Sequence, residues 1–202
     1  MIKMPRFFIV WIAMITLPIA AQDPTLSEPQ IKKSNAPGFT FLLRAAYMMP
    51  TENAFKEIYG NPQAYSIELC LGKKKLGIWL EGSRIKSEGK LTSTEDITRL
   101  TIVPVEAGLL FRFANGSLVP YIGAGAGYYS YEENNDLGSV HVKEIGYVGV
   151  GGLSCHLGSF IIDLKAKYSY CKIKPGATDE NIEPIEHNIG GLSFSFGLGL
   201  GF

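Results

Sequence analysis

His141 and His187 are the residues here best suited to proton transfer, because imidazole titrates near neutral pH. Ser139, Glu144 and Glu186 lie close to them in the chain. A hydrolytic site needs a nucleophile, a base and an orienting acid within hydrogen-bond reach. Nothing in this spacing supplies that reach, so the histidines are read as solvated loop residues and no catalytic residue is assigned. The run Glu132-Glu133-Asn134-Asn135-Asp136 offers oxygen ligands but lacks the spacing of a calcium loop. Gly123-Ala-Gly125-Ala-Gly127 is glycine-rich, yet a phosphate loop must follow a strand and open a helix, and these glycines alternate within one strand. Asn115-Gly116-Ser117 matches a glycosylation sequon but reads first as a tight type I′ hairpin turn. Three cysteines, Cys70, Cys155 and Cys171, show no CxxC or Cys/His metal spacing. All three are expected to face the interior or its mouth, with Cys70 and Cys155 on opposed strands. A disulfide needs Cα atoms within about 7 Å, so none is expected. No metal and no cofactor are expected.

A second set of residues is more informative. Arg44, Glu68, Glu81, Glu106, Arg112, Asp163, Lys165 and Lys167 each interrupt a segment of alternating hydrophobicity, always on the face opposite its large apolar residues. Counted from the turn end of each segment, all but Arg112 lie roughly four to eight residues in, which at ~3.3 Å per residue is one central slab. Arg112 sits lower. Unpaired interior charges cost several kcal/mol each, so these side chains are expected to form an ion-pair network. This is the candidate site.

The elements that carry it are strands. The sequence ends Leu192-Ser-Phe194-Ser-Phe196-Gly-Leu198-Gly-Leu200-Gly-Phe202, large and apolar at every even position and Ser or Gly at every odd one. That period of two defines a strand with one apolar face, long enough to cross a bilayer at a tilt, which takes roughly 9–11 residues. Seven similar segments precede it, at about 38–48, 63–72, 75–85, 98–113, 118–131, 140–157 and 159–172, with the last at 187–202. In 140–157 the pattern blurs: Ile145 and Tyr147 give one phase, Val148 and Val150 the other, and a β-bulge is expected there. Connections alternate between tight (73–74, 114–117, 158) and long and polar (49–62, 86–97, 132–139, 173–186). Short periplasmic turns and long outer loops are the pattern of outer-membrane barrels.

The N-terminus agrees. Lys3 and Arg6 precede an apolar stretch, Phe7 to Ala21, ending in a cleavable Ile19-Ala-Ala21. Residues 1–21 are read as a signal peptide, 22–37 as a flexible periplasmic lead-in and 38–202 as one barrel domain. Without Lys3 and Arg6 the chain holds 17 basic and 19 acidic residues, a net charge of −2 that gives no nucleic-acid surface. A soluble lipocalin-type barrel also alternates, with water outside and an apolar pocket inside. Here Tyr47, Tyr65, Tyr128, Tyr168 and Tyr170 cluster near the loop-side strand ends, and Phe113, Phe160 and Phe202 near the turn side. Two aromatic girdles around an aliphatic band favour the bilayer.

Val119-Pro-Tyr-Ile-Gly-Ala-Gly-Ala-Gly-Tyr128 resembles the fifth-strand signature of the small outer-membrane barrels, the OmpA-like and opacity-protein-like domains. Phe55-Lys-Glu-Ile-Tyr59-Gly60, Ile78-Trp79-Leu80-Glu81-Gly82 and Gly199-Leu-Gly-Phe202 are similar to other recurrent pieces of such proteins. The resemblance implies an all-β, eight-stranded antiparallel up-and-down transmembrane β-barrel in the bacterial outer membrane. It does not imply an activity. The expected protein is therefore a monomeric, non-enzymatic barrel with a structural or surface-interaction role and a lumen plugged by ion pairs. Its expected partners are outer-membrane lipid, an extracellular ligand reached through the loops, and the barrel-insertion machinery, which would read Phe202. A narrow solute pore and a lipid-modifying enzyme are the alternatives.

Overall fold

The computed structural model describes residues 37–72, 75–90, 97–135, 138–174 and 186–202. The segments read as signal peptide and, except for Pro37, as lead-in lie outside the described residues. Period-two alternation becomes β1 (Phe39–Pro50), β2 (Gln63–Leu71), β3 (Leu76–Lys90), β4 (Ile97–Arg112), β5 (Leu118–Asn135), β6 (Gly138–Leu157) and β7 (Phe160–Tyr170). Two short strands follow, β8 (Lys172–Ile173) and β9 (His187–Asn188), and then β10 (Gly191–Gly201). Each long strand pairs antiparallel with its sequence neighbour, and β10 joins β7 to β1, closing the barrel in the order β1-β10-β7-β6-β5-β4-β3-β2. Closure matters because it leaves no unpaired sheet edge, which lipid would not tolerate.

The wall is inverted relative to a soluble barrel. Leu43, Ile67, Leu80, Leu109, Leu164, Phe194 and Leu198 are exposed on its outside, while Arg44, Glu68, Glu81, Glu106 and Asp163 are buried within. Burying charge and exposing large hydrocarbon is costly in water and favourable in a bilayer. The lipocalin alternative fails on this point.

Four local expectations are corrected. The described residues of 86–97 and 132–139, namely 86–90, 97, 132–135 and 138–139, are paired ladder rather than loop: β3–β4 pairing runs to Lys90↔Ile97 and β5–β6 pairing to Asn135↔Gly138. Polar residues satisfy their backbone groups in a hydrated sheet as well as in a loop. The 49–62 connection contains a helix, α1 (Asn53–Tyr59), ended by Gly60 at φ 65°, whose N–H bonds the Lys56 carbonyl at 2.9 Å. The last barrel strand starts at Gly191, because His187–Asn188 pairs instead with Lys172–Ile173. Finally, β6 holds one unbroken register with both neighbours and has no bulge. Val148 and Val150 point inward into a cluster with Trp79 and Tyr121. The outer face beside them carries Gly149 and Gly151, which silences the outward apolar signal. One consequence is that Cys155, opposite Leu118 and Ile162, faces outward rather than into the lumen. Cys70, Cys155 and Cys171 are all free thiols.

Candidate functional site

Pairing sets three carboxylates side by side. Glu68 on β2 is opposite Glu81 on β3, which is opposite Glu106 on β4, all pointing inward. Like charges directly opposed destabilise a sheet unless cations intervene. The cations come from the far wall. Lys165 on β7 reaches both Glu68 and Glu81, the latter at 2.6 Å. Lys167, one inward step further along β7, reaches Glu81 at 3.4 Å and Glu106 at 2.6 Å. Arg44 on β1 grips Glu68 with Nε at 3.1 Å and Nη2 at 2.9 Å, and gives Nη1 to Asp163 at 2.7 Å. Bidentate charge-assisted bonds of this kind are the strong ones.

The result is one continuous chain, Asp163–Arg44–Glu68–Lys165–Glu81–Lys167–Glu106. Its four acids and three bases leave one net negative charge, spread by neutral donors. Tyr129 donates to Glu106 at 2.6 Å, Tyr121 to Asp163 at 2.9 Å, and Ser154 also to Asp163. These three helpers were not singled out from the sequence, although their strand parity places them inside. The Lys165 ammonium also lies 5.6 Å from the Trp79 ring centroid, a cation–π contact. Gly197 sits between Arg44 and Asp163 in the register, and a Cβ there would be 2.9 Å from Arg44 Nη1. A side chain at 197 would therefore push the guanidinium off its partner.

Arg112, grouped with these residues by sequence, stands apart. It ends β4 at the turn side, six residues beyond Glu106, and makes no ion pair among the described residues. Its guanidinium lies against Gly77.

Above the charges the loop end is filled with hydrocarbon. Phe55 and Tyr59 on the inward side of α1 pack at 4.9 Å between centroids and join Met48, Ile85, Leu100, Ile102, Tyr131, Ile173 and Ile189. Burial pushes the Tyr59 hydroxyl well above its usual range, so it stays protonated against Thr98. Glu52 is the N-cap residue of α1, but its side chain makes no capping bond to the helix. Its carboxylate is taken by His187 Nδ1 at 2.5 Å and the Asn188 N–H at 2.6 Å, tying the helix to β9. No serine or threonine hydroxyl bonds to His141 or His187 among the described residues, so the hydrolytic grouping is not assembled there. No group of three His, Cys, Asp or Glu side chains among the described residues could hold a metal.

A closed eight-stranded up-and-down barrel with a charged interior and an apolar exterior is the fold of the small outer-membrane barrels. No family profile and no curated protein matches this chain by sequence. Among solved structures the chain is similar to the neisserial surface protein A, NspA, with TM-score 0.60 and 18% identity over 83% of this chain and 99% of that one. It is similar to the attachment invasion locus protein Ail of Yersinia pestis, solved with the heparin analogue sucrose octasulfate, at TM-score 0.52 and 15% identity over 84% and 99%. It is also similar to Escherichia coli outer membrane protein W, at TM-score 0.51 and 16% identity over 83% and 99%. At these identities the shared property is the fold.

Proposed function

We propose that this protein is an integral, monomeric barrel of the bacterial outer membrane that seals its own lumen and acts structurally or through its loop-end surface, without catalysis. The observation that carries this reading is the filling of the interior along its length: hydrocarbon under α1, then the seven-member ion chain, then Trp79, Leu110 and Tyr121 below it. An eight-stranded barrel is just wide enough for its own side chains, and here they occupy it. Interaction would then fall to the loop end, where α1 and the β8–β9 ribbon are held by the Glu52–His187 contact. Three of the described cations there are matched: Lys172 and Lys174 both pair with Glu186, and Arg99 pairs with Glu88. At 15% identity the likeness to Ail reaches only the fold, so its binding of a sulfated sugar is not carried over. Insertion into the membrane would use Phe202 at the end of β10, whose ring stacks on Phe39 with 6.3 Å between centroids.

A deletion strain tests the role. Altered surface adhesion or envelope integrity, with lipid composition and small-solute uptake unchanged, is the expected result. A changed lipid profile would favour an enzyme and contradict the reading; lost solute uptake would favour a pore.

A further inference from the structure

Arg84 lies on the outer wall of β3, among residues otherwise chosen for hydrocarbon. It is exposed, it stands beside Tyr65 of β2, and it has no ion-pair partner among the described residues. The row beneath it reads Ile67, Gly82, Val105 across β2, β3 and β4. Gly82 has no side chain, and open space stands over it where a Cβ would be. Directly below a lone cation there is thus a trough, part of a groove of about 510 Å³ bordered by Leu43, Tyr65, Ile67 and Val103.

Depth gives the trough its meaning. Arg84 is eight residues above Leu76, the turn-side start of β3. At ~3.3 Å per residue and a tilt of ~40°, that is roughly 20 Å up an apolar band ~25 Å tall. The guanidinium therefore reaches headgroup level on the loop side, while the trough points down into the hydrocarbon. Lys86 adds a second outward cation one row higher, opposite Gln63 and Thr101.

We propose that this face binds a lipid bearing a phosphomonoester headgroup, with the phosphate on Arg84 and one acyl chain in the trough over Gly82. Arginine suits the headgroup because its planar fork meets phosphate bidentately. Tyr65, beside it, is the amphipathic ring expected at a membrane interface. The proposal rests on the reading of this chain as an outer-membrane barrel, where the loop end faces the outer leaflet.

The full chain, folded in detergent, is titrated with lipid A and the retained adduct is read by native mass spectrometry. Folding is checked by the shifted gel mobility of unheated samples. Wild type should bind lipid A about tenfold more tightly than lipid A stripped of its phosphates. Arg84→Gln should lose about that tenfold, and Gly82→Leu should lose a similar factor by filling the trough. Excess inorganic phosphate should not displace the lipid. Equal affinity for the stripped lipid, unchanged binding in Arg84→Gln, or displacement by inorganic phosphate would each overturn the proposal. If the protein folds and enters bilayers yet fails to discriminate these lipids, the site fails and the barrel reading stands. If it does not partition into bilayers at all, the barrel reading fails first.

Discussion

Replacing Arg44 with alanine removes the cation that joins Asp163 to Glu68 at one end of the lumen chain. Its side chain is fully buried and makes three charge-assisted bonds to two carboxylates. Without it Glu68 keeps only Lys165, and Asp163 keeps only the neutral donors Tyr121 and Ser154. Removing one partner of a buried pair costs about 3–5 kcal/mol, mostly through the charge left stranded. With a urea dependence of about 1–3 kcal/mol per molar, the unfolding midpoint in a bilayer or micelle should fall by at least about 1 M. The double variant Arg44→Ala/Asp163→Asn neutralises the acid with the weaker remaining shell and should recover about 1–3 kcal/mol. A loss below about 1 kcal/mol in Arg44→Ala, the scale of exposed ion pairs, would refute the network as a stabilising unit.

Three other outcomes follow from the geometry. Gly197→Val should lower the same midpoint by separating Arg44 from Asp163, and an unchanged midpoint would show that the register contact is unimportant. Deleting Phe202 should reduce the inserted fraction more than Phe39→Ala does, although both rings belong to one stacked pair; equal yields would count against an assembly signal. In a background lacking the native cysteines, a cysteine introduced at Lys174 should label on sealed cells and one at Gly116 should not; the reverse pattern would invert the barrel.

The sequence was most legible where period two was undisturbed. In β10 every large side chain could be assigned to the outer wall from alternation alone, and the charges of β7 fell to the lumen by the same parity. Legibility failed where both faces carried similar residues. In β6 two inward valines beside two outward glycines imitate a phase change, so a bulge was expected and Cys155 was turned the wrong way. Strand ends were misjudged for a related reason: above the bilayer a ladder no longer needs apolar residues, so Glu88, Glu132 and Glu133 gave no sign of being paired strand. The seven-residue α1 was hidden because its stability comes from burying Phe55 and Tyr59 in the barrel mouth. Polarity alone could bring the charges inside; only register could show that Glu68, Glu81 and Glu106 stand in one row and that Arg112 lies outside the chain.

Single-channel recording in a planar bilayer tests the sealed lumen most directly. Wild-type protein should be electrically silent at steady voltage, and Arg44→Ala or Glu68→Ala should open a measurable leak. Steady conductance from the wild type would contradict a lumen closed by its own ion pairs.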